Sequence, residues 1–212
     1  MLLKTSVAND LKKTFLTKLD AYYNNGKVRE GLHISSLIFC LRQNFFRKVN
    51  PQPHSLKTLQ FFVDGNSRHS ALQSLLGLRS EVRFERFGVV GTVDILDGKF
   101  PVEIKTTRAA NAVPEHYFTQ LSYYCVLLGV CEGFLVIQRV NCKDEKDPWE
   151  FIHVEWSVDE MEKLECELKD KSRLFREALD SKDFSLLPRL DSSMRWKCRY
   201  CFYSKDCGGI RG

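Results

Sequence analysis

The sequence predicts an α/β (α+β) domain built on a mixed β-sheet flanked by helices, and three observations carry that expectation. Residues 82–106 alternate apolar and polar positions on either side of Asp97-Gly98. Helical stripes over 56–77 and 114–129 bracket that strand-rich stretch, and the signature Ser157-x-x-Glu160 opens a third, charged helix. Strands alternating with helices around one apolar core make a layered domain.

Taken in order, Leu59, Phe62, Val63, Leu72, Leu75 and Leu76 fall on one helix stripe. Val82–Phe87 and Val89–Leu96 read as strands. Asp97-Gly98 follows, a strong hairpin signal because a type I′ turn needs positive φ at both central positions, and Lys99–Thr106 is the returning strand. Pro114 suits the first position of a helix whose stripe is Tyr117, Leu121, Tyr124 and Leu128, with Gly129 as its natural stop. Gly133–Val140 and Trp149–Trp156 are two further strands. The last helix runs to about Leu179, with Asp159/Lys163, Glu165/Lys169 and Glu167/Lys171 spaced i, i+4. Asn50–His54 and Asn141–Pro148 read as loops.

At 212 residues and 43% hydrophobic, the chain can bury one core with an appended lobe. Its longest apolar runs are four residues, far short of the roughly 20 that cross a bilayer. Met1–Leu16 has no apolar stretch of the secretory kind. A soluble, cytoplasmic protein is expected. A net charge of +5 permits a polyanionic partner without establishing one. Arg42, Arg47 and Lys48 surround Phe45 and Phe46, and Arg195, Lys197, Arg199 and Tyr200 surround the C-terminal cysteines. Such clusters either grip phosphates and stack bases or are solvated charges beside buried rings.

Cys40 and the run Cys198-x2-Cys201-x5-Cys207 form a four-thiolate pattern. In a reducing compartment a metal site is favoured over disulfides, and it would staple both ends of the chain together. The spacing suits zinc and an iron–sulfur cluster equally. Cys125, Cys131, Cys142 and Cys166 have no ligand-like spacing.

With Asp97-Gly98 as a two-residue loop, Asp94 pairs with Pro101, and Asp94, Glu103 and Lys105 share one face. The two acids are then diagonal neighbours, about 7–8 Å apart at the backbone. A solvated strand face explains this arrangement, and so does a site for Mg²⁺ or Mn²⁺, whose oxygen ligands hold phosphates and activate water.

Gly91-Thr-Val-Asp94, Glu103-Ile-Lys105 and Gln120-Leu-Ser-Tyr-Tyr124, preceded by Gly65-Asn-Ser-Arg-His69, resemble the PD-(D/E)xK nuclease core in its RecB-like form. The cysteine pattern resembles the iron–sulfur branch of that superfamily: the CRISPR-associated RecB-like exonucleases and the AddB-type nuclease domains. Val93 stands where the family motif has proline. The resemblance implies a restriction-endonuclease-like core over 56–185, an N-terminal helical segment over 1–55 that contributes Cys40, and a cysteine segment over 186–212 closing a cluster lobe. Asp94, Glu103, His69 and the Ile104 carbonyl would hold Mg²⁺ or Mn²⁺. Lys105 would be the catalytic lysine, and Gln120 and Tyr124 would contact DNA or support it. Cys40, Cys198, Cys201 and Cys207 would bind a 4Fe-4S cluster, with zinc as the alternative.

The activity implied is exonucleolytic cleavage of single-stranded DNA ends, 5′ to 3′, in CRISPR adaptation beside integrase proteins. A phage or repair nuclease of the same branch is one alternative. A non-catalytic iron–sulfur or zinc nucleic-acid-binding module is another.

Overall fold

The computed structural model describes residues 5–24, 31–107, 112–140 and 148–208. The loop expected over Asn141–Pro148 lies outside them except for Pro148, as does Cys142. The N-terminal part contains α1 (Thr5–Asn24), β1 (Leu32–His33), α2 (Ser35–Ile38) and α3 (Leu41–Val49). There follow α4 (Leu56–Leu76), β2 (Arg79–Arg86), β3 (Val89–Asp97), β4 (Phe100–Thr107) and α5 (Glu115–Leu128). The chain continues through β5 (Glu132–Arg139), β6 (Trp149–Glu155) and α6 (Val158–Ser181), then short 3₁₀ segments at Phe184–Leu186 and Ser192–Tyr200. The three helices and five strands expected from the sequence are α4 to α6 and β2 to β6.

Helix ends follow local chemistry. The Ser55 hydroxyl accepts from Thr58 N to start α4, and Gly77 ends it at φ 63°. Pro114 caps α5 from one position earlier than expected, and Gly129 closes it at φ 68°. Ser157 and Glu160 form the reciprocal capping box of α6. Two of its expected ion pairs are in place, Glu165 with Lys169 and Glu167 with Lys171.

The mixed sheet has the order β1-β3-β4-β5-β6, with β2 also on β3. The β1–β3 and β4–β5 pairs are parallel and the other three antiparallel. Since β2 occupies one edge of β3 along its length, β1 and β4 must share the other. β1 pairs with Val89 and Val90, and β4 with Ile95 to Asp97. Between them Gly91 to Asp94 have no strand partner on that edge among the described residues. This fork between β3 and β4 positions the candidate site.

The hairpin register departs from the expected one. Asp97 pairs with Phe100, Leu96 with Pro101 and Ile95 with Val102, so the loop is Gly98-Lys99, with Gly98 at φ 58°. Continued by one step, this register opposes Asp94 to Glu103 directly, where the sequence reading made them diagonal.

Helix α5 is buried more completely than its stripe implied: every residue from Leu121 to Leu127 is buried. One side lies on the sheet with Leu135 and Ile137, and the other meets Leu37, Leu168 and Phe175. Leu32, Ile34, Leu41 and Phe45 join the same cluster as Val93 and Tyr123, so the first fifty residues build part of the central core. Arg42 and Phe45, read from the sequence as members of a basic, aromatic patch, are themselves buried. The Arg42 guanidinium donates from Nε to the Leu187 carbonyl at 2.8 Å, because a buried cation needs fixed acceptors. Among the described residues no helix is long and apolar enough to cross a membrane.

Candidate active site

The fork turns a backbone interruption into a side-chain site. Where the β3–β4 ladder stops at Ile95 and Val102, the Ile104 N–H donates to Asp94 Oδ2 at 2.8 Å. Asp94 is thereby fixed at the mouth of the fork, with its Oδ1 3.6 Å from His69 Nδ1 on α4. Glu103 and Lys105 pair in register with Leu135 and Ile137, whose side chains pack on α5. That register aims the acid and the lysine at α5. There Lys105 Nζ donates to Glu103 Oε1 and, at 2.8 Å, to Gln120 Oε1. Gln120 then donates its amide to the Tyr124 hydroxyl at 2.9 Å. The Lys105 ammonium also lies 5.4 Å from the centre of the Tyr117 ring. His69, Asp94, Glu103, Ile104, Lys105, Gln120 and Tyr124, all expected from the sequence, are thus brought together.

The electrostatics of the group are unusual. Burial pushes the Glu103 carboxyl up to about 7 against the pull of the Lys105 ammonium, and the Asp94 charge adds to the rise. Burial opposes a charged His69, yet the Asp94 carboxylate beside it prevails and leaves the imidazole pKa raised. Tyr124 is held far above the usual phenol range, first by burial and then by Glu103, and stays neutral.

The residues fit a divalent cation. Glu103 Oε2 is buried and has no hydrogen-bond partner among the described residues, a costly state for a carboxylate oxygen. Asp94 has committed Oδ2 to Ile104 and turns Oδ1 towards His69. Two hard oxygens and an imidazole suit Mg²⁺ or Mn²⁺. The three donors are not drawn within 4.8 Å of one another, a condition met among the described residues only by Glu132, His153 and Glu155. That second group is a surface ion-pair set, with His153 Nε2 2.9 Å from Glu132 Oε2 and its ring stacked on Phe134.

Sequence reasoning missed two neighbours. From one turn beyond His69, Gln73 Nε2 donates to the Asp94 carbonyl at 3.0 Å and to Glu81 Oε1 at 2.9 Å. Glu81, the β2 residue in register with Asp94, is a non-glycine at φ 52°, and the β2–β3 pairing skips it. The i, i+4 spacing of His69 and Gln73 was the only available signal.

Cys40, immediately before α3, lines a cavity of about 60 Å³ with Cys198, Cys207, Arg42, Arg189 and Arg195. Burial raises the Cys40 thiol pKa, and Cys207 and Cys201 are close enough to add to the rise. Cys201 is raised in the same way, with Cys198 and Cys207 contributing. All four are free thiols, and no three of their sulfurs lie within 4.8 Å of one another. Three arginines line the cavity beside three of the four thiols and provide charge balance for an anionic group.

No protein-family model matches the chain, and no curated protein is significantly similar to it. Among solved structures, SSO0001 superposes with a TM-score of 0.63 at 20% identity, over 92% of this chain and 95% of that one. The alkaline exonuclease LHK-Exo from Laribacter hongkongensis gives 0.51 at 12% identity, over 74% and 91%. The complex of LHK-Exo with dAMP gives 0.51 at 14%, over 73% and 92%. At these identities the likeness is one of fold: the chain shares the mixed-sheet architecture of an exonuclease.

Proposed function

We propose that the chain is a Mg²⁺- or Mn²⁺-dependent DNA exonuclease of the RecB-like PD-(D/E)xK type. The observation that carries this reading is the unpartnered, buried Glu103 Oε2, set beside Asp94 and a lysine at the sheet fork. Asp94, Glu103, His69 and the Ile104 carbonyl would hold the cation, which when bound supplies Lewis-acid chemistry for in-line phosphodiester hydrolysis. Lys105 spends two of its three N–H donors on Glu103 and Gln120. The third is left for a phosphate oxygen or the attacking water. Gln120 and Tyr124 hold the ammonium in position, and the neutral phenol adds no competing charge.

The substrate on this reading is a single-stranded DNA end, cut 5′ to 3′ during CRISPR adaptation in the cytoplasm beside integrase proteins. The cysteine motif supports that branch, as does its cavity, where Cys40, Cys198, Cys201 and Cys207 would carry a 4Fe-4S cluster.

Cleavage of labelled single-stranded DNA with Mn²⁺, abolished by EDTA, is the expected result. Full activity in Asp94→Ala or Lys105→Ala overturns the assignment. For the cysteines, anaerobically purified protein should be brown, and a colourless protein with stoichiometric zinc sinks the cluster.

A further inference from the structure

We infer that His116 is a positioning residue that ties the cysteine-bearing ends of the chain to Lys105, acting through the Tyr117 ring. This rests on the nuclease reading, in which Lys105 works at the phosphate, and it adds a route by which the cysteine segments govern that lysine.

The route runs through three rings. Phe39, the residue before Cys40, has its ring centre 5.0 Å from that of His116. His116 lies 4.6 Å from Tyr117, the two planes at 75° in an edge-to-face pair. The Tyr117 ring in turn carries the Lys105 ammonium 5.4 Å from its centre. The start of α3 is thereby joined to β4 across the first turn of α5.

A helix does not supply these contacts by itself. Neighbours at i, i+1 point to different sides, so the paired rings of His116 and Tyr117 are braced from outside α5, by Phe39. The core does not use that side chain: Phe39 is 44% exposed, whereas Leu37 and Leu41 on either side of it are buried. Charge adds to the geometry. Burial, then the Lys105 ammonium and then that of Lys197, hold the His116 pKa below its ordinary value. The imidazole is therefore neutral at neutral pH and adds no repulsion beside Lys105. Lys197 is the residue before Cys198, as Phe39 is the residue before Cys40. His116 is met from both ends of the chain, each time by the neighbour of a motif cysteine.

A shift of the cysteine segments moves Phe39 first and the imidazole with it, and the phenol ring loses its fixed angle under the ammonium. The hydrogen bonds from Lys105 to Glu103 and Gln120 remain, so the lysine is loosened and not lost. Neither carboxylate is on this route, and metal affinity is untouched.

The test compares His116→Ala, His116→Phe and Phe39→Ala with the wild-type chain by two readings. One is kcat on labelled single-stranded DNA with Mn²⁺. The other, in EDTA, is the rate at which acetic anhydride modifies Lys105, followed by mass spectrometry against the exposed Lys182. His116→Ala is expected to lower kcat about 2- to 10-fold, the size of an aromatic pair read as a rate, and to speed Lys105 modification, with Mn²⁺ affinity unchanged. His116→Phe, which keeps an uncharged ring, restores both readings. Phe39→Ala reproduces the loss, and the double variant with His116→Ala is no worse than His116→Ala alone. A wild-type kcat or a wild-type modification rate in His116→Ala overturns the inference, as does a double variant whose loss is the product of the two single losses. If His116→Ala fails to fold, wild-type readings in Phe39→Ala overturn it equally. Wild-type protein that leaves DNA uncut, while His116→Ala still speeds Lys105 modification, defeats the nuclease reading and leaves the positioning contact standing.

Discussion

Lys105 and Gln120 are joined at 2.8 Å across the gap between the sheet and α5, and Gln120 reaches on to Tyr124 one turn further along that helix. The ammonium is therefore positioned by a helix that is itself immobilised in the core. Truncating Gln120 to alanine releases the lysine without touching the carboxylates. Activity should fall about 10- to 100-fold, as for other supporting hydrogen bonds around metal sites, while the Mn²⁺ dissociation constant measured calorimetrically stays unchanged.

Asp94 has two separable tasks, one for each oxygen. Asp94→Asn keeps an acceptor for the Ile104 N–H but removes the charge, so metal binding should be lost with little change in the urea midpoint. Asp94→Ala also orphans the Ile104 N–H, adding a destabilisation of about 1–3 kcal/mol. Equal stability of the two variants would show that the Oδ2 contact contributes nothing.

The raised Glu103 pKa fixes the sign of a pH effect. Because the folded protein holds this proton up to about 7 and the unfolded chain releases it near the ordinary carboxyl value, the native state binds the extra proton in between. In EDTA this residue's contribution to stability should fall as pH rises from about 4.5 to 7, and Glu103→Gln should flatten that slope. Metal affinity should run the other way, rising through neutrality as the carboxyl ionises. Urea titrations at several pH values, with and without Mn²⁺, check both directions.

Arg42 ties the two ends of the chain independently of any metal. Arg42→Ala leaves the Leu187 carbonyl without its donor and should cost about 1–3 kcal/mol, read as a lower urea midpoint. Cys40 lies two residues away, so the cavity it lines should loosen, and any visible absorbance should bleach faster in air.

Most of this site was legible because strand alternation is robust to small errors of register. The turn was misplaced by one residue at each side, Gly98-Lys99 instead of Asp97-Gly98, yet that shift moves each pairing by two in all and leaves Asp94, Glu103 and Lys105 on a common face. The all-round burial of α5 from Leu121 to Leu127 was not readable from its own stripe, because the residues that cover its far side, Leu37, Leu168 and Phe175, come from remote segments. Gln73 escaped notice because its acceptor at Asp94 lies 21 positions away, through a carbonyl that no motif marks. Nor does sequence announce the left-handed backbone of Glu81, which only the interrupted pairing with β3 reveals.

The short parallel pairing of Leu32 and His33 with Val89 and Val90 bears on how this protein can be shortened. A fragment cut to 56–185 would retain every carboxylate and the lysine, yet strip Leu32, Ile34, Leu37, Leu41 and Phe45 from beneath the sheet. Such a minimal fragment would bare both an unprotected strand margin and a greasy floor, and it should precipitate when expressed alone.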